Sequence, residues 1–324
     1  MKKLLLLLPF ISVLSFAKVN QKTVDEFIIK TAKDNNLNEQ SVRAIINQAQ
    51  RQQSIIDAMN RPAEKKKQWH EYRNIFLKQK RIDAGVVFWN EHKAILEKVS
   101  KDSGVPIEII VAIIGVETNY GGNMGSYRVL DALYTLAFDY PKRSPFFTKE
   151  LAKFLVLAEK ENISALETKG SYAGAMGYGQ FMPSSYLMYS LDHDKDGSRD
   201  LLNNIGDAIA SVANYFKAHG WKKDQPVVHM GHTDTKFTKL KKQSLKPSLT
   251  VKQLNDMGYK TKQKLNENDM VSLTQLQQEN SMEYWFGMHN FYVITRYNHS
   301  EMYAMAVYQL SLEILSSHKN NAKK

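Results

Sequence analysis

Three groups of residues in this chain could do chemistry. The first is a glutamate at the end of a wholly apolar run, in "IIVAIIGVETNYGG" (residues 109–122). A carboxyl at the C-terminal end of a buried helix loses hydration and faces the negative pole of the macrodipole. Both effects favour the protonated form, which a general acid working near neutral pH requires. The Thr-Asn-Tyr-Gly-Gly that follows Glu117 supplies turn chemistry, so the helix ends at a surface and the carboxyl can look into a cleft. The competing reading is a helix-end glutamate paired with lysine or arginine.

The second group is the strip "GSYAGAMGYGQFMPSSY" (residues 170–186). Its glycines and alanines let backbone approach a ligand or another backbone closely. Ser171, Tyr178 and Gln180 add hydrogen-bonding groups. The glycine spacing is not that of a phosphate-binding loop, and the alternative is a tight packing turn.

The third is "DHDKDGSRDLLNNIGD", starting at Asp192. Asp192, Asp194 and Asp196 occupy the first, third and fifth positions of an EF-hand loop, with Gly197 at the sixth. Ser198 would offer its backbone carbonyl at the seventh, and Asp200 falls at the ninth. Asn203 stands where the bidentate glutamate belongs, and Asp207 is placed to supply the missing carboxylate. A structural calcium is expected, with no catalytic role; the alternative is a solvated acidic turn.

The elements that must position these groups are mostly helical. "VDEFIIKTAKD" and "SVRAIINQAQRQQSIIDAM" carry apolar residues at helical spacing, and "EHKAILEKVSKDSG" places Ile95, Leu96 and Val99 on one face before Gly104 stops it. The segment opening at Pro106 is apolar on all sides, hence buried. "TKELAKFLVLAEKENI" and "IGDAIASVANYFKAHG" predict two more helices, the second with Gly220 as a cap. From Trp221 to about Asn280 the chain turns lysine-rich, with strand-like "PVVHM" and "DMVSLT".

Four blocks then carry a family resemblance: "AIIGVETNYG", "GSYAGAMGYGQFMPSSY", "DAIASVANYFKAHGW" and "NFYVITRYNHSEMYAMAVYQL". In this order they resemble the lytic murein transglycosylase B family (glycoside hydrolase family 103), over a region from about Lys18 to the C-terminus. The resemblance implies a mainly α (α+β) fold: a lysozyme-like core, an N-terminal helical lobe and a small β-containing insert. It implies cleavage of the β-1,4 bond between N-acetylmuramic acid and N-acetylglucosamine in peptidoglycan, leaving a 1,6-anhydro-muramoyl end. Glu117 falls on the family's sole catalytic acid, and a variant calcium loop belongs to the family pattern. Matching substrate-binding positions are Tyr72, Arg143, Ser171, Gln180, Tyr215, Tyr297, Asn298 and Tyr303. The tyrosines are expected to stack on sugar faces, and Arg143 to meet lactyl or peptide carboxylates.

One carboxylate suffices for such a reaction. Ordinary glycosidases need two, whereas here the sugar's own C6 hydroxyl attacks C1, with the large effective molarity of a tethered group. No catalytic cofactor is expected. A hydrolysing muramidase and a non-catalytic wall-binding protein are the alternatives.

The composition bounds the setting. "MKKLLLLLPFISVLSFA" reads as a secretory leader with cleavage after Ala17. The chain has 324 residues and no cysteine, so no lipid-anchor cysteine is available. Loss of Lys2 and Lys3 with the leader takes the formal charge from +11 to +9. A basic exported chain suits an anionic partner. Peptidoglycan strands, and other cell-wall enzymes, fit export; nucleic acid does not. The product is expected to be a periplasmic monomer, soluble or peripherally associated. The expected layout is a leader over 1–17, a helical lobe over 18–101 and a catalytic core over 102–220. A basic β-containing lobe over 221–284 and a returning segment over 285–324 complete it.

Overall fold

The computed structural model describes residues 20–61, 67–241 and 244–321. The leader expected over 1–17 lies outside them. In chain order the helices of the first half are α1 (Gln21–Asn35), α2 (Glu39–Ile46), α3 (Gln53–Asn60), α4 (Trp69–Phe76), α5 (Gln79–Glu91), α6 (Lys93–Ser103) and α7 (Ile107–Thr118). After β1 (Tyr127–Arg128) come α8 (Val129–Asp139), α9 (Ser144–Lys160), β2 (Lys169–Gly170), α10 (Pro183–Tyr189) and α11 (Ile205–Ala218). The last part holds β3 (Val228–Thr233), β4 (Leu249–Thr250), α12 (Val251–Asp256), β5 (Tyr259–Thr261), β6 (Met270–Gln277), β7 (Met282–Gly287), α13 (His289–Tyr297) and α14 (Glu301–Asn321). The protein is mainly α, as the helical periodicities predict.

α7 is the axis of the molecule. Every residue from Ile109 to Gly115 is buried, because α5, α6, α11 and α14 pack around it. Each fully buried isoleucine contributes roughly 1.5–3 kcal/mol, so a helix with no polar face is stable only inside such a sheath. Pro106 is the N-cap, and Asn119 closes the other end in the left-handed conformation.

The helical stretch predicted over residues 41–59 is instead two helices. Asp131 and Thr135 on α8 capture the backbone N–H groups of Gln50 (2.7 Å) and Gln52 (3.0 Å), while Arg128 donates to the Gln48 carbonyl (2.6 Å). Those tertiary partners replace the bonds a continuous helix would have made. α11 ends as a Schellman-type turn: Gly220 is left-handed (φ 85°), and the Trp221 amide donates to the Phe216 carbonyl at 2.9 Å.

The two expected strands are β3 and β6, within a five-stranded antiparallel sheet of order β4-β6-β7-β3-β5. One face covers a separate small core of Val251, Leu254, Tyr259, Val271, Leu273 and Phe286. Leu276 and Val228 join the main core instead. α12, with its Thr250/Gln253 capping box, sits inside this lobe and was not foreseen from the sequence.

Candidate active site

Glu117 is half-buried on the last turn of α7. Thr118, buried, donates to the Tyr178 carbonyl at 2.9 Å and accepts from the Gly121 amide at 3.0 Å, tying the helix end to the glycine-rich strip. Asn119 and Tyr120 are both left-handed, at φ 52° and 61°. Such conformations cost on the order of 1–3 kcal/mol each and persist only where their surroundings hold them. Here the turn throws the Tyr120 ring back between α5 and α7. A Cβ on Gly85 or on Gly115 would come within 2.6 Å of that ring or its hydroxyl, so only glycine fits at either place. The Tyr120 hydroxyl donates to the Arg81 carbonyl at 3.0 Å.

The carboxyl has a partner from the far end of the chain. The Tyr303 hydroxyl, on the first turn of α14, donates to Glu117 Oε1 at 2.5 Å. Burial first, then the neighbouring Glu117 charge, push the Tyr303 phenol well above its ordinary range, so it stays a donor. Tyr297 is pushed up by the same two causes, which places it beside the same carboxyl. Its hydroxyl donates to the Gly179 carbonyl at 2.6 Å. A Cβ on Gly179 would lie 2.8 Å from that hydroxyl.

Tyr215 packs edge-on against Tyr297 at 4.7 Å and donates to the Arg296 carbonyl at 2.6 Å. Burial pushes its phenol up to about 12. Tyr72 is 1% exposed, packs on Trp69 and Phe76, and lies close enough to Tyr303 to influence its ionisation.

These contacts change what the expected tyrosines can do. Tyr72, Tyr215 and Tyr303 are at most 9% exposed, so protein rather than sugar covers most of their ring faces. Tyr215 and Tyr297 spend their hydroxyls on backbone carbonyls. They form an aromatic bed beside Glu117, and the Tyr303 hydroxyl reaches its carboxyl.

The glycine-rich strip packs backbone on backbone. A Cβ on Gly125, itself at φ 97°, would lie 2.1 Å from the Gly170 carbonyl, where β1 pairs with β2. Gln180 takes a left-handed φ of 49°, and its amide donates to the Met124 and Gly177 carbonyls, both at 3.1 Å. Ser171 Oγ accepts from the Ala175 amide at 3.1 Å. Asn298 is exposed just past α13. Arg143 is exposed and lies over the Phe146 ring at 4.5 Å and near that of Phe147 at 5.1 Å.

Thr118, Tyr120 and Arg81 were missed by sequence reasoning. Gly85 and Gly115, each inside a helix, were the available signal, since a helical glycine often marks close packing.

Among the described residues, the buried acids Asp131, Glu150 and Asp207 have structural duties. Asp131 pairs with Arg128 at 2.6 Å and accepts from Gln50. Glu150 accepts from the Ser184 amide (2.9 Å) and hydroxyl (2.7 Å), holding the start of α10. Asp207 accepts from the His193 and Asp200 amides at 2.7 and 2.8 Å. Glu108, whose carboxyl burial pushes up, sits in the first turn of α7, about 13 Å along the axis from Glu117.

Asp192, Asp194 and Asp196 each bring one carboxylate oxygen within 4.8 Å of the others. Left-handed Lys195 (φ 64°) and Gly197 (φ 94°) bend the loop around them. Three convergent carboxylates are a donor set for a hard cation such as calcium. Asp207 is not in that cluster; its two oxygens clasp the loop's ends by their amides. Ser198 follows Gly197 and donates its amide to Asp196 at 2.8 Å.

The sequence profile described as "Transglycosylase SLT domain" matches residues 19–312. The chain is 42% identical over 300 residues to the membrane-bound lytic murein transglycosylase B of Escherichia coli (strain K12), covering 90% of this chain and 82% of that protein. It superposes on the catenated lytic transglycosylase SltB1 of Pseudomonas aeruginosa with a TM-score of 0.86 at 46% identity, covering 91% and 98% of the two chains. For the Escherichia coli lytic transglycosylase Slt35 in complex with calcium the values are 0.84, 41%, 94% and 95%. Among the described residues, no helix is long and apolar enough to cross a membrane.

Proposed function

The chain belongs to the transglycosylase SLT domain family, and we propose that it cleaves the β-1,4 MurNAc-GlcNAc bond of peptidoglycan with Glu117 as its acid and base. The observation that carries this reading is the placement of Glu117. It stands at the end of the buried helix α7, oriented through Oε1 by Tyr303, while Asp131, Glu150 and Asp207 are engaged elsewhere.

In the first step the Glu117 proton passes to the glycosidic oxygen and the bond from muramoyl C1 to that oxygen breaks. The substrate's N-acetyl group stabilises the cation that develops, as in substrate-assisted glycosidases. In the second, the muramoyl C6 hydroxyl attacks C1 and its proton returns to Glu117. No water is consumed, and the acid is regenerated. Burial and the helix dipole favour the protonated start, whereas the Tyr303 hydrogen bond favours the carboxylate that follows proton transfer. A carboxyl poised between these influences suits both steps.

Ser171, Gln180, Asn298 and Arg143 are the partly or fully exposed polar groups proposed to meet the glycan and its substituents. Tyr72, Tyr215, Tyr297 and Tyr303 support the cleft from beneath. Asp192, Asp194, Asp196 and the Ser198 carbonyl would hold a calcium ion, with Asp207 bracing the loop; the ion's chemistry there is structural. Peptidoglycan strands in the periplasm are the proposed partner and setting.

Digestion of purified peptidoglycan by the wild type and Glu117→Gln, with mass spectrometry of the released fragments, tests the reading. Anhydro-muramoyl ends are expected from the wild type, with a loss of about a hundredfold or more in the variant. Water-added ends from the wild type, or equal release by both proteins, would overturn it.

A further inference from the structure

Outside the groups already assigned, Arg81 stands at the edge of the site without a counter-ion among the described residues. Arg81 opens α5, and its Nε lies 3.4 Å from the side-chain oxygen of Asn119, two residues after Glu117. Its other contacts are a long hydrogen bond to the Ile75 carbonyl (3.3 Å) and the Phe76 ring at 5.2 Å. Phe76 packs on Tyr72, Tyr72 neighbours Tyr303, and Tyr303 bonds Glu117. The contacts therefore close a circuit: Glu117, Asn119, Arg81, Phe76, Tyr72, Tyr303 and back. Arg81 is the cationic member of that circuit.

Among the described residues, no carboxylate lies within ion-pairing distance of it. Partial burial pulls its guanidinium below the ordinary value, and the nearby Tyr120 phenol offsets that only in part. A guanidinium that has lost hydration and gained no anion is ready to bind one, because its fork of donors matches a carboxylate. Its backbone is also held in place, since the Tyr120 hydroxyl, seated between Gly85 and Gly115, grips the Arg81 carbonyl. The main chain at this position is thus ordered before any ligand arrives, which lowers the cost of binding.

We propose that Arg81 is a specificity contact for a carboxylate on the muramoyl O3 substituent, either of the stem peptide or of the free lactyl group. This rests on the peptidoglycan reading above, because that polymer carries its carboxylates on this substituent, next to the bond being cleaved. Arg81 would raise affinity for anionic strands while leaving the acid–base step to Glu117.

The test compares the wild type, Arg81→Ala and Arg81→Lys on three soluble glycan strands. One carries intact stem peptides, one has been stripped by an amidase to the free lactyl acid, and one is peptide-bearing with its carboxylates amidated by carbodiimide and ammonia. Arg81→Ala should raise KM about tenfold on a carboxylate-bearing strand, the share of one charge-assisted contact. Its kinetics on amidated strands should match the wild type, and Arg81→Lys should recover part of the lost affinity. A KM change confined to intact strands assigns the stem carboxylate; one confined to stripped strands assigns the lactyl. Equal losses on all three, or a fall in kcat with KM unchanged, would show that Arg81 only props the Asn119 turn and would defeat the proposal. Absence of anhydro ends from the wild type on every strand would instead defeat the underlying reading.

Discussion

The Tyr303 hydroxyl donates to Glu117 Oε1 at 2.5 Å across 186 residues of chain, from the first turn of α14 to the last turn of α7. α7 and α14 pack directly on each other, so this hydrogen bond is held by two packed helices rather than by a loop. Its consequence is a carboxyl fixed in orientation before substrate binds.

Tyr303→Phe keeps the ring in its buried place and removes only that donor. The variant should fold, and kcat should fall about tenfold as the carboxyl loses its orientation. A hydrogen bond to the charged form favours it, so its loss moves the limb of the rate–pH profile that reports Glu117 to higher pH. A profile that drops in height without moving would refute the electrostatic part of this account.

Two glycine replacements should separate strain from collision. Gly125→Ala combines φ 97° with a Cβ only 2.1 Å from the Gly170 carbonyl, so a loss of about 3 kcal/mol or more is expected. Gly197→Ala meets φ 94° with nothing within 4 Å, and should cost only about 1–2 kcal/mol. Denaturant titration of both variants reads the difference directly. Comparable losses would mean that the backbone contact at Gly125 relaxes freely.

Calcium added in large excess over its dissociation constant should raise Tm by about 5 °C, and a chelator should reverse the rise. Asp194→Asn should abolish the response, because Asp194 belongs to the three-carboxylate cluster. Cleavage by calcium-free protein below its melting temperature should continue. A Tm indifferent to both calcium and chelator would remove the ion from the account.

His219 and His229 should make the protein less stable in mild acid. Burial is the largest cause pulling both imidazoles below 6.5. Unfolded chains therefore take up protons before folded ones do as pH falls. The stability these residues contribute is complete above pH 6.5 and declines below it. Denaturant midpoints measured from about pH 7.5 to 5.5 should fall, and a His219→Asn/His229→Asn double variant should flatten the slope. An unchanged slope would place the acid sensitivity elsewhere.

Local pattern determined much of this protein. The unbroken apolar run up to Val116 already required a buried helix with Glu117 at its end, and the DxDxDG spacing already gathered Asp192, Asp194 and Asp196 on one loop. Those features depend on neighbours within a few residues, where helical period and turn chemistry act. Tertiary structure decided which distant groups meet. No spacing distinguishes Tyr303, which bonds the carboxyl, from Tyr215, which bonds the Arg296 carbonyl. Likewise, residues 41–59 are periodic enough for one helix, but Asp131 and Thr135 break it by taking the Gln50 and Gln52 amides. Arg81 gains its place only once the Tyr120 ring has folded back between two glycines from different helices. Each is a contact between segments far apart in the chain, set by how packed helices come to rest against one another, which local propensity does not encode.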